Sequence, residues 1–105
     1  MYGLIAIITT VPGKRDEFIG ILEACTGDMP GCHSYVVAKD AADEVTVWVT
    51  EAWDRVESHD ASLTLPEVKQ AVQRGRPLVA AFEKVAVTNP VCGVRQTAAH
   101  AQPRA

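Results

Sequence analysis

The sequence lacks most of the motifs that assign a chemistry to a small chain. Its three cysteines, Cys25, Cys32 and Cys92, form no CxxC pair, so neither a structural zinc site nor a dithiol redox motif is indicated. There is no GxGxxG motif, no P-loop and no metal-type spacing of histidine and carboxylate residues. Because those motifs hold nucleotides and metal ions, we expect a protein without a cofactor.

The charge and hydropathy patterns also exclude several classes of partner. Ten basic residues are scattered among thirteen acidic ones, which gives a net charge of −3, whereas a nucleic-acid binder usually has a basic face. No apolar run approaches the roughly 20 residues of a membrane-spanning helix. The N-terminus lacks the basic start and cleavage site of a signal peptide. We therefore expect no nucleic-acid partner, no membrane partner and a cytoplasmic location.

The length allows one domain with one core. The chain has 105 residues, of which 48% are hydrophobic and 22% charged, as in an ordinary globular protein. After Asn89-Pro90 the composition turns to Ala, Gln, Thr and Arg without periodicity. We predict a domain over residues 1–90, and over residues 91–105 a loose tail, or an arm that becomes ordered on a partner.

The order of the periodic segments predicts an α+β domain. Four segments have strand patterns, and helical patterns lie between the first and second and between the third and fourth. The predicted strands are residues 2–10, 33–39, 45–53 and 78–88, and the predicted helices are residues 14–26 and 55–75, the latter broken at Pro66. This βαββαβ order is that of the ferredoxin-like fold with a four-stranded antiparallel sheet.

Several predicted strands are apolar on both faces. In the first strand, Leu4, Ala6 and Ile8 point to one side, and Ile5 and Ile7 to the other. Two helices cover only one face of an antiparallel sheet, and monomers rarely expose apolar patches above a few hundred Å². We therefore predict a homodimer through the uncovered sheet face, burying more than about 2,000 Å². The alternative is a solvated face with scattered valines.

The fourth predicted strand shows the same two-sided pattern. Strict alternation would place its apolar residues in two sets on opposite faces. These sets are Val79, Ala81, Val85 and Val87 against Ala80, Phe82 and Ala86.

His59 is the first candidate for chemistry. It lies three residues after Val56 and four before Leu63, so it belongs to the inward stripe of its helix. An inward imidazole that titrates near neutrality can remove a phenolic proton. The alternative is a structural histidine that bonds a carbonyl group and packs.

Three further polar side chains accompany it. Trp53 can wall a flat aromatic ligand and donate its indole N–H, or it can be a core anchor. Tyr35 can donate to an oxyanion, or its hydroxyl can bond backbone or water. Glu51 shares an apolar strand face and needs a partner, so we predict a structural ion pair or hydrogen bond with Arg55 or Arg76.

Several short segments occur in an order and spacing that resemble a known family. They are PGKRDEF at 12–18, PGC at 30–32, EAW at 51–53, His59, SLTLPEV at 62–68 and RPL at 76–78. Together, over about residues 2–90, they resemble the antibiotic-biosynthesis monooxygenase family, of the quinol monooxygenase type.

The resemblance implies a dimeric α+β barrel in which each subunit has a pocket between sheet and helices. It also implies oxidation of a small aromatic quinol or phenol by O₂ without metal, flavin or nicotinamide. Haem-degrading proteins of this shape carry an asparagine on the first strand. The first predicted strand of this chain, YGLIAIITT, has none, so haem degradation is disfavoured. In many relatives the helix histidine also lies further from the tryptophan than His59 lies from Trp53.

Three functions stay open at this point, because fold likeness does not determine the reaction. The first is a cofactor-independent monooxygenase acting on a quinol or polyketide-like phenol. The second is an isomerase or lyase of a small carbonyl compound in the same pocket. The third is a non-catalytic module for ligand binding or dimerisation.

Overall fold

The structure, a computed structural model, describes residues 1–93 of the chain. The strands are β1 (Tyr2–Thr10), β2 (Cys32–Lys39), β3 (Thr46–Trp53) and β4 (Val79–Thr88); the helices are α1 (Arg15–Cys25), α2 (Val56–Ser62) and α3 (Pro66–Gly75), with a 3₁₀ turn at Arg76–Leu78. The second helical region is broken as predicted, with Pro66 in the first turn of α3. Residues 94–105 of the predicted tail lie outside the described residues.

The strands form one antiparallel sheet in the order β2-β3-β1-β4. With helices inserted after β1 and after β3, this is the ferredoxin-like arrangement, and the predicted fold class is confirmed. Strands β1 and β3 occupy the centre of the sheet, and β2 and β4 form its edges. The sheet has two ends: the hairpin end, where the β2–β3 loop lies, and the Glu51 end, where β1 and β2 begin and β3 stops.

The core lies between one face of the sheet and the helices. On that face Ile8, Val47 and Val49 are buried, and Val47 is fully inaccessible to solvent. Phe18 and Ile21 of α1 are spaced for one helix face and are both buried. The apolar face of β1 and the apolar face of α1 therefore pack together in a single layer.

Within residues 1–93, no helix covers the opposite face of the sheet. Ile7 of β1 pairs directly with Trp48 of β3, and Ile5 pairs with Thr50. Ile5, Ile7 and Trp48 are half-buried, and Val36 on the neighbouring strand is 42% exposed. This face is thus apolar at its centre, as the strand patterns predicted.

The strict alternation predicted for the fourth strand is wrong. The β1–β4 register shifts between Ile5 and Ala6 and again between Thr9 and Thr10. Each irregularity inserts an extra residue and reverses the alternation beyond it. Phe82 therefore lies opposite Ile8, on the helix side of the sheet. Because β4 is an edge strand, Phe82 remains 61% exposed.

The hairpin end is held together by exposed polar groups. Trp48 Nε1 donates to Asp40 Oδ1 at 2.8 Å, and the backbone N–H groups of Ala42 and Asp43 donate to Asp40 Oδ2 at 3.0 and 2.8 Å. Arg15, at the start of α1, donates to the carbonyl oxygen of Asp43 at 2.7 Å. These bonds attach the first helix to the turn between β2 and β3.

Candidate functional site

The candidate site is built around a buried carboxyl group at the Glu51 end of the sheet. Glu51 is 9% exposed and lies on the helix-covered face, opposite Leu4 of β1 and Tyr35 of β2. The period of two along β3 places Trp53 on the same face, where it is fully buried. The last residues of β3 therefore bring a carboxyl group and an indole into the covered layer.

The partners of Glu51 are an indole and an imidazole. Trp53 Nε1 donates to Glu51 Oε1 at 2.9 Å, and His59 Nε2 lies 3.9 Å from the same oxygen. The prediction of an arginine partner is wrong: within residues 1–93, neither Arg55 nor Arg76 forms a salt bridge with Glu51. The physical reason is that β3 ends beside α2, which turns His59 inward.

Burial raises the pKa of the Glu51 carboxyl above its ordinary value. The hydrogen bond from Trp53 and the nearby His59 act in the opposite direction but do not cancel the effect of desolvation. A carboxyl group in this position binds a proton more readily than one in water. The site therefore contains a group that can exchange protons in an otherwise apolar layer.

His59 is held between two aromatic rings. Its side chain is 16% exposed; its ring meets Trp53 edge-on at a centroid distance of 5.5 Å and Tyr2 at 5.4 Å. Its Nδ1 lies 3.2 Å from Oδ1 of the exposed Asp60. The ring thus has a carboxylate on each side, with Glu51 inside and Asp60 outside, instead of the carbonyl partner of the structural alternative.

Tyr35 on β2 and His59 on α2 lie on opposite sides of Glu51. Burial raises the pKa of the Tyr35 hydroxyl far above its usual value, and the charges of Glu51, Cys25 and Cys32 add to the effect. Tyr35 lines a cleft of about 530 Å³ between the end of α1 and β2, which Trp53 and His59 do not line. Of the three predicted site residues, His59 and Trp53 therefore lie together. Tyr35 is separate from them and lies beside the same carboxyl group.

The family model for antibiotic biosynthesis monooxygenases matches residues 1–74. The chain belongs to this family. A solved structure of a candidate antibiotic biosynthesis monooxygenase from Chloroflexus aurantiacus is 51% identical, covers 89% of this chain and 95% of its own, and superposes with a TM-score of 0.85. The family resemblance read from the sequence is confirmed.

Solved structures of lower sequence identity share only the fold with this chain. A candidate monooxygenase of the same family from Caulobacter crescentus is 20% identical over 86% of this chain and 89% of its own, with a TM-score of 0.78. One from Nitrosomonas europaea is 15% identical over 88% of this chain and its full length, with a TM-score of 0.77. No curated protein matches the chain.

In this family member the loop before β2 is packed tightly against α2. Gly31 has φ +85°, and a Cβ atom there would lie 2.6 Å from Ser58 Oγ and 2.7 Å from Asp54 Oδ1. The backbone N–H of Asp54 donates to the Gly31 carbonyl oxygen at 2.9 Å. The glycine permits both the left-handed turn and the close approach, so it holds the helix that carries His59 against the sheet end.

Sequence reasoning missed Tyr2 and the central position of Glu51. Tyr2 alternates with Leu4 along β1 and pairs with Trp53, so the strand period contained the signal. The pairing of Glu51 with Trp53 followed from their spacing of two residues on one strand. Among residues 1–93, no group of three or more His, Cys, Asp or Glu residues is placed to hold a metal ion, and no helix is long and apolar enough to cross a membrane.

Proposed function

We propose that this family member is a cofactor-independent monooxygenase that oxidises a quinol or polyketide-like phenol with O₂. The observation that supports it best is the enclosed group of His59, Glu51 and Trp53 in a chain of the monooxygenase family. A phenol whose anion is electron-rich reduces O₂ by itself. The protein then has to supply a base, an apolar site and a hydrogen-bond donor for the developing charge.

The proposed reaction needs no external reductant. The deprotonated phenol passes one electron to O₂, and the aryloxyl radical and superoxide combine at a ring carbon ortho or para to the oxygen. That carbon then loses its hydrogen as a proton while the O–O bond breaks. One oxygen atom stays on the ring as a carbonyl and the other leaves as water, so phenol plus O₂ gives quinone plus water.

The residues have separate roles in this proposal. His59 is the base that removes the phenolic proton, and Trp53 provides an apolar wall. Tyr35 donates a hydrogen bond to the substrate oxygen, since a hydroxyl group whose pKa is raised stays protonated at neutral pH. The cleft of about 530 Å³ beside Tyr35 has the volume of a small-molecule site. Because His59 and Trp53 do not line this cleft, the proposal requires the substrate to extend from it past Tyr35 toward Glu51 to reach the imidazole.

Oxygen uptake with a reduced naphthoquinone tests the function. We expect His59→Ala to lower turnover by about 10²- to 10⁴-fold, the range for loss of a general base. Trp53→Phe and Tyr35→Phe should have smaller effects, while Trp48→Phe, the matched control at the hairpin end, should leave turnover unchanged.

Two outcomes would contradict this assignment. Unchanged uptake in both His59→Ala and Trp53→Phe would remove the roles given to them. No uptake by the unaltered protein with any phenol tried would favour an isomerase, a lyase or a non-catalytic module.

We further propose that a second copy of the chain covers the apolar sheet face around Ile7 and Trp48. Val36, 42% exposed on this face, and Val72, 46% exposed on α3, form a matched pair for the test. Val36→Glu places a charge in the proposed interface, so sedimentation velocity should show a monomer. Val72→Glu should leave the dimer intact. A dimer that survives both changes, or a monomeric unaltered chain, would exclude this interface.

We also propose that residues 1–90 form the folding unit. The ring of Pro90 lies beside Gly3 at the start of β1, so the chain remains in contact with the sheet as far as this residue. A chain ending at residue 90 should unfold at the same urea concentration as the full chain. A clearly lower midpoint would show that residues 91–105 belong to the domain.

A further inference from the structure

We infer that Glu51 is a positioning residue of this site: its carboxyl group stabilises positive charge on the His59 ring, and Trp53 holds the carboxyl group in place. The titration part of this inference stands on the geometry alone. Its consequence for turnover rests on the function proposed above.

The geometry fixes one carboxyl oxygen between the two rings. Oε1 of Glu51 accepts the hydrogen bond from Trp53 Nε1 at 2.9 Å and faces His59 Nε2 at 3.9 Å. Trp53 is fully buried, and the imidazole is packed between Trp53 and Tyr2. These contacts on both sides of the ring hold the imidazole beside the carboxyl oxygen.

The charges around Glu51 leave His59 as its one cationic partner among residues 1–93. From β2 it is faced by Cys32 and Tyr35, thiol and hydroxyl groups whose pKa values are raised by burial. From β3 it is faced by the neutral indole of Trp53. Removing a buried carboxylate from water is costly unless a positive charge or a proton compensates it. The pair is therefore stable with a proton on one member or the other.

Asp60 is the second carboxylate that faces His59. It lies on the outer side of the ring and is 68% exposed, so solvent screens its charge. Glu51, at 9% exposure, is screened far less. The charge of the inner carboxyl group should therefore act more strongly on the imidazole ring, although Asp60 is closer.

This arrangement explains how His59 can serve as a base. When the imidazole takes a proton, a positive charge forms 3.9 Å from the Glu51 carboxylate, which stabilises it. Glu51 acts through His59 and does not need to touch the substrate.

The test uses the indole N–H of Trp53 as a reporter. In a Trp48→Phe chain, the two tryptophans of the sequence are reduced to one, and its ¹H–¹⁵N signal can be followed from pH 3 to pH 9. We expect this signal to titrate with the Glu51 carboxyl group, and Glu51→Gln should remove that titration. His59→Gln should raise the midpoint of the carboxyl group, because the imidazole opposes the effect of burial on Glu51.

A carboxyl midpoint that is the same in the Trp48→Phe chain and in its His59→Gln variant would overturn the inference. Asp60→Asn is the matched control, and it should move the midpoint of Glu51 much less than His59→Gln does. Equal shifts from these two changes would also contradict the inference, because they would give the exposed group the same influence as the imidazole. This readout requires no turnover, so a shifted midpoint in an inactive chain would remove the monooxygenase proposal and leave the interaction of Glu51 with His59 in place.

Where turnover is present, the pH profile adds a second readout. Glu51→Gln should lower kcat/KM roughly tenfold, because the imidazole loses the negative charge that stabilises its protonated form, and it should move the acid limb of the profile by removing the carboxyl group that contributes to it. Glu51→Asp, which keeps the charge, should restore part of the rate. A uniform loss in both variants with no movement of the limb would indicate a merely structural role and would contradict positioning through His59.

Discussion

The two ends of the sheet each hold a tryptophan whose indole N–H is bonded to a carboxylate, yet the two carboxyl groups shift in opposite directions. At the hairpin end, Trp48 bonds Asp40 at 2.8 Å; at the Glu51 end, Trp53 bonds Glu51 at 2.9 Å. The pKa of Asp40 is lowered, whereas that of Glu51 is raised. The same hydrogen bond is present in both, so it does not set the direction.

The surroundings account for the difference. Asp40 lies at the surface, where the indole and two backbone N–H groups bond its charged form. Glu51 has the same indole bond but is desolvated, and desolvation is the larger effect. A tryptophan–carboxylate pair therefore behaves as a structural clamp at a surface and as a site for proton uptake in an interior. Three sets of measurements test this difference between the two ends of the sheet.

Reversal of the charge should separate the two ends most strongly. Glu51→Lys places an ammonium group in a buried layer to which the described residues contribute no other carboxylate, and we expect a loss of about 3–5 kcal/mol in the free energy of unfolding. Asp40→Lys, at the surface, should cost much less. Urea denaturation of both variants measures this, and equal losses would show that the two carboxyl groups are in similar surroundings.

The glycines at the two ends give the second contrast. Gly13 and Gly31 both have positive φ, at 81° and 85°, but only Gly31 has atoms within 4 Å of an added Cβ. Gly13→Ala should cost about 1–2 kcal/mol for the left-handed backbone. Gly31→Ala should cost that and about 1–3 kcal/mol more for overpacking against α2. Thermal unfolding would contradict this account if Gly13→Ala were the more harmful change.

The pH dependence of stability should give the smallest effect, with opposite signs. Because the folded pKa of Glu51 is raised above 4.5, the folded chain binds more protons in that window, and its contribution to stability falls as the pH rises. Because the pKa of Asp40 is lowered below 3.8, its contribution is lost as the pH falls through that lower window.

Glu51→Gln and Asp40→Asn should each remove one of these two slopes. Urea unfolding of both variants from pH 2.5 to pH 8 measures them against the unaltered chain. Slopes of the same sign would mean that burial does not distinguish the two ends.

Local patterns were sufficient to predict most of the fold. The alternation of Leu4, Ala6 and Ile8 and the proline that begins α3 determine structure over a few residues, so the sequence shows them directly. The β4 alternation failed because the register shifts opposite Ala6 and Thr10 depend on how two strands meet. The β4 sequence alone does not show how β4 pairs with β1.

The candidate site was predictable in its members but not in its bonds. His59 and Trp53 were identified from helical spacing and from the end of a strand. The indole of Trp53 and the imidazole of His59 approach the same oxygen of Glu51. This depends on the angle between β3 and α2, which is a property of the tertiary structure. For the same reason an arginine was expected where the structure has an imidazole, and Tyr35 lies apart from the pair it was grouped with.

The shifted register of β4 also bears on how the protein avoids aggregation. An edge strand with exposed apolar side chains and unpaired backbone groups can be extended by further copies into a fibril. In β4, Phe82 and Val85 are exposed, and Glu83 and Lys84 stand between them. Adjacent strands stacked in register would bring like charges together at both positions. We therefore expect Glu83 and Lys84 to oppose the in-register stacking of further copies on this strand.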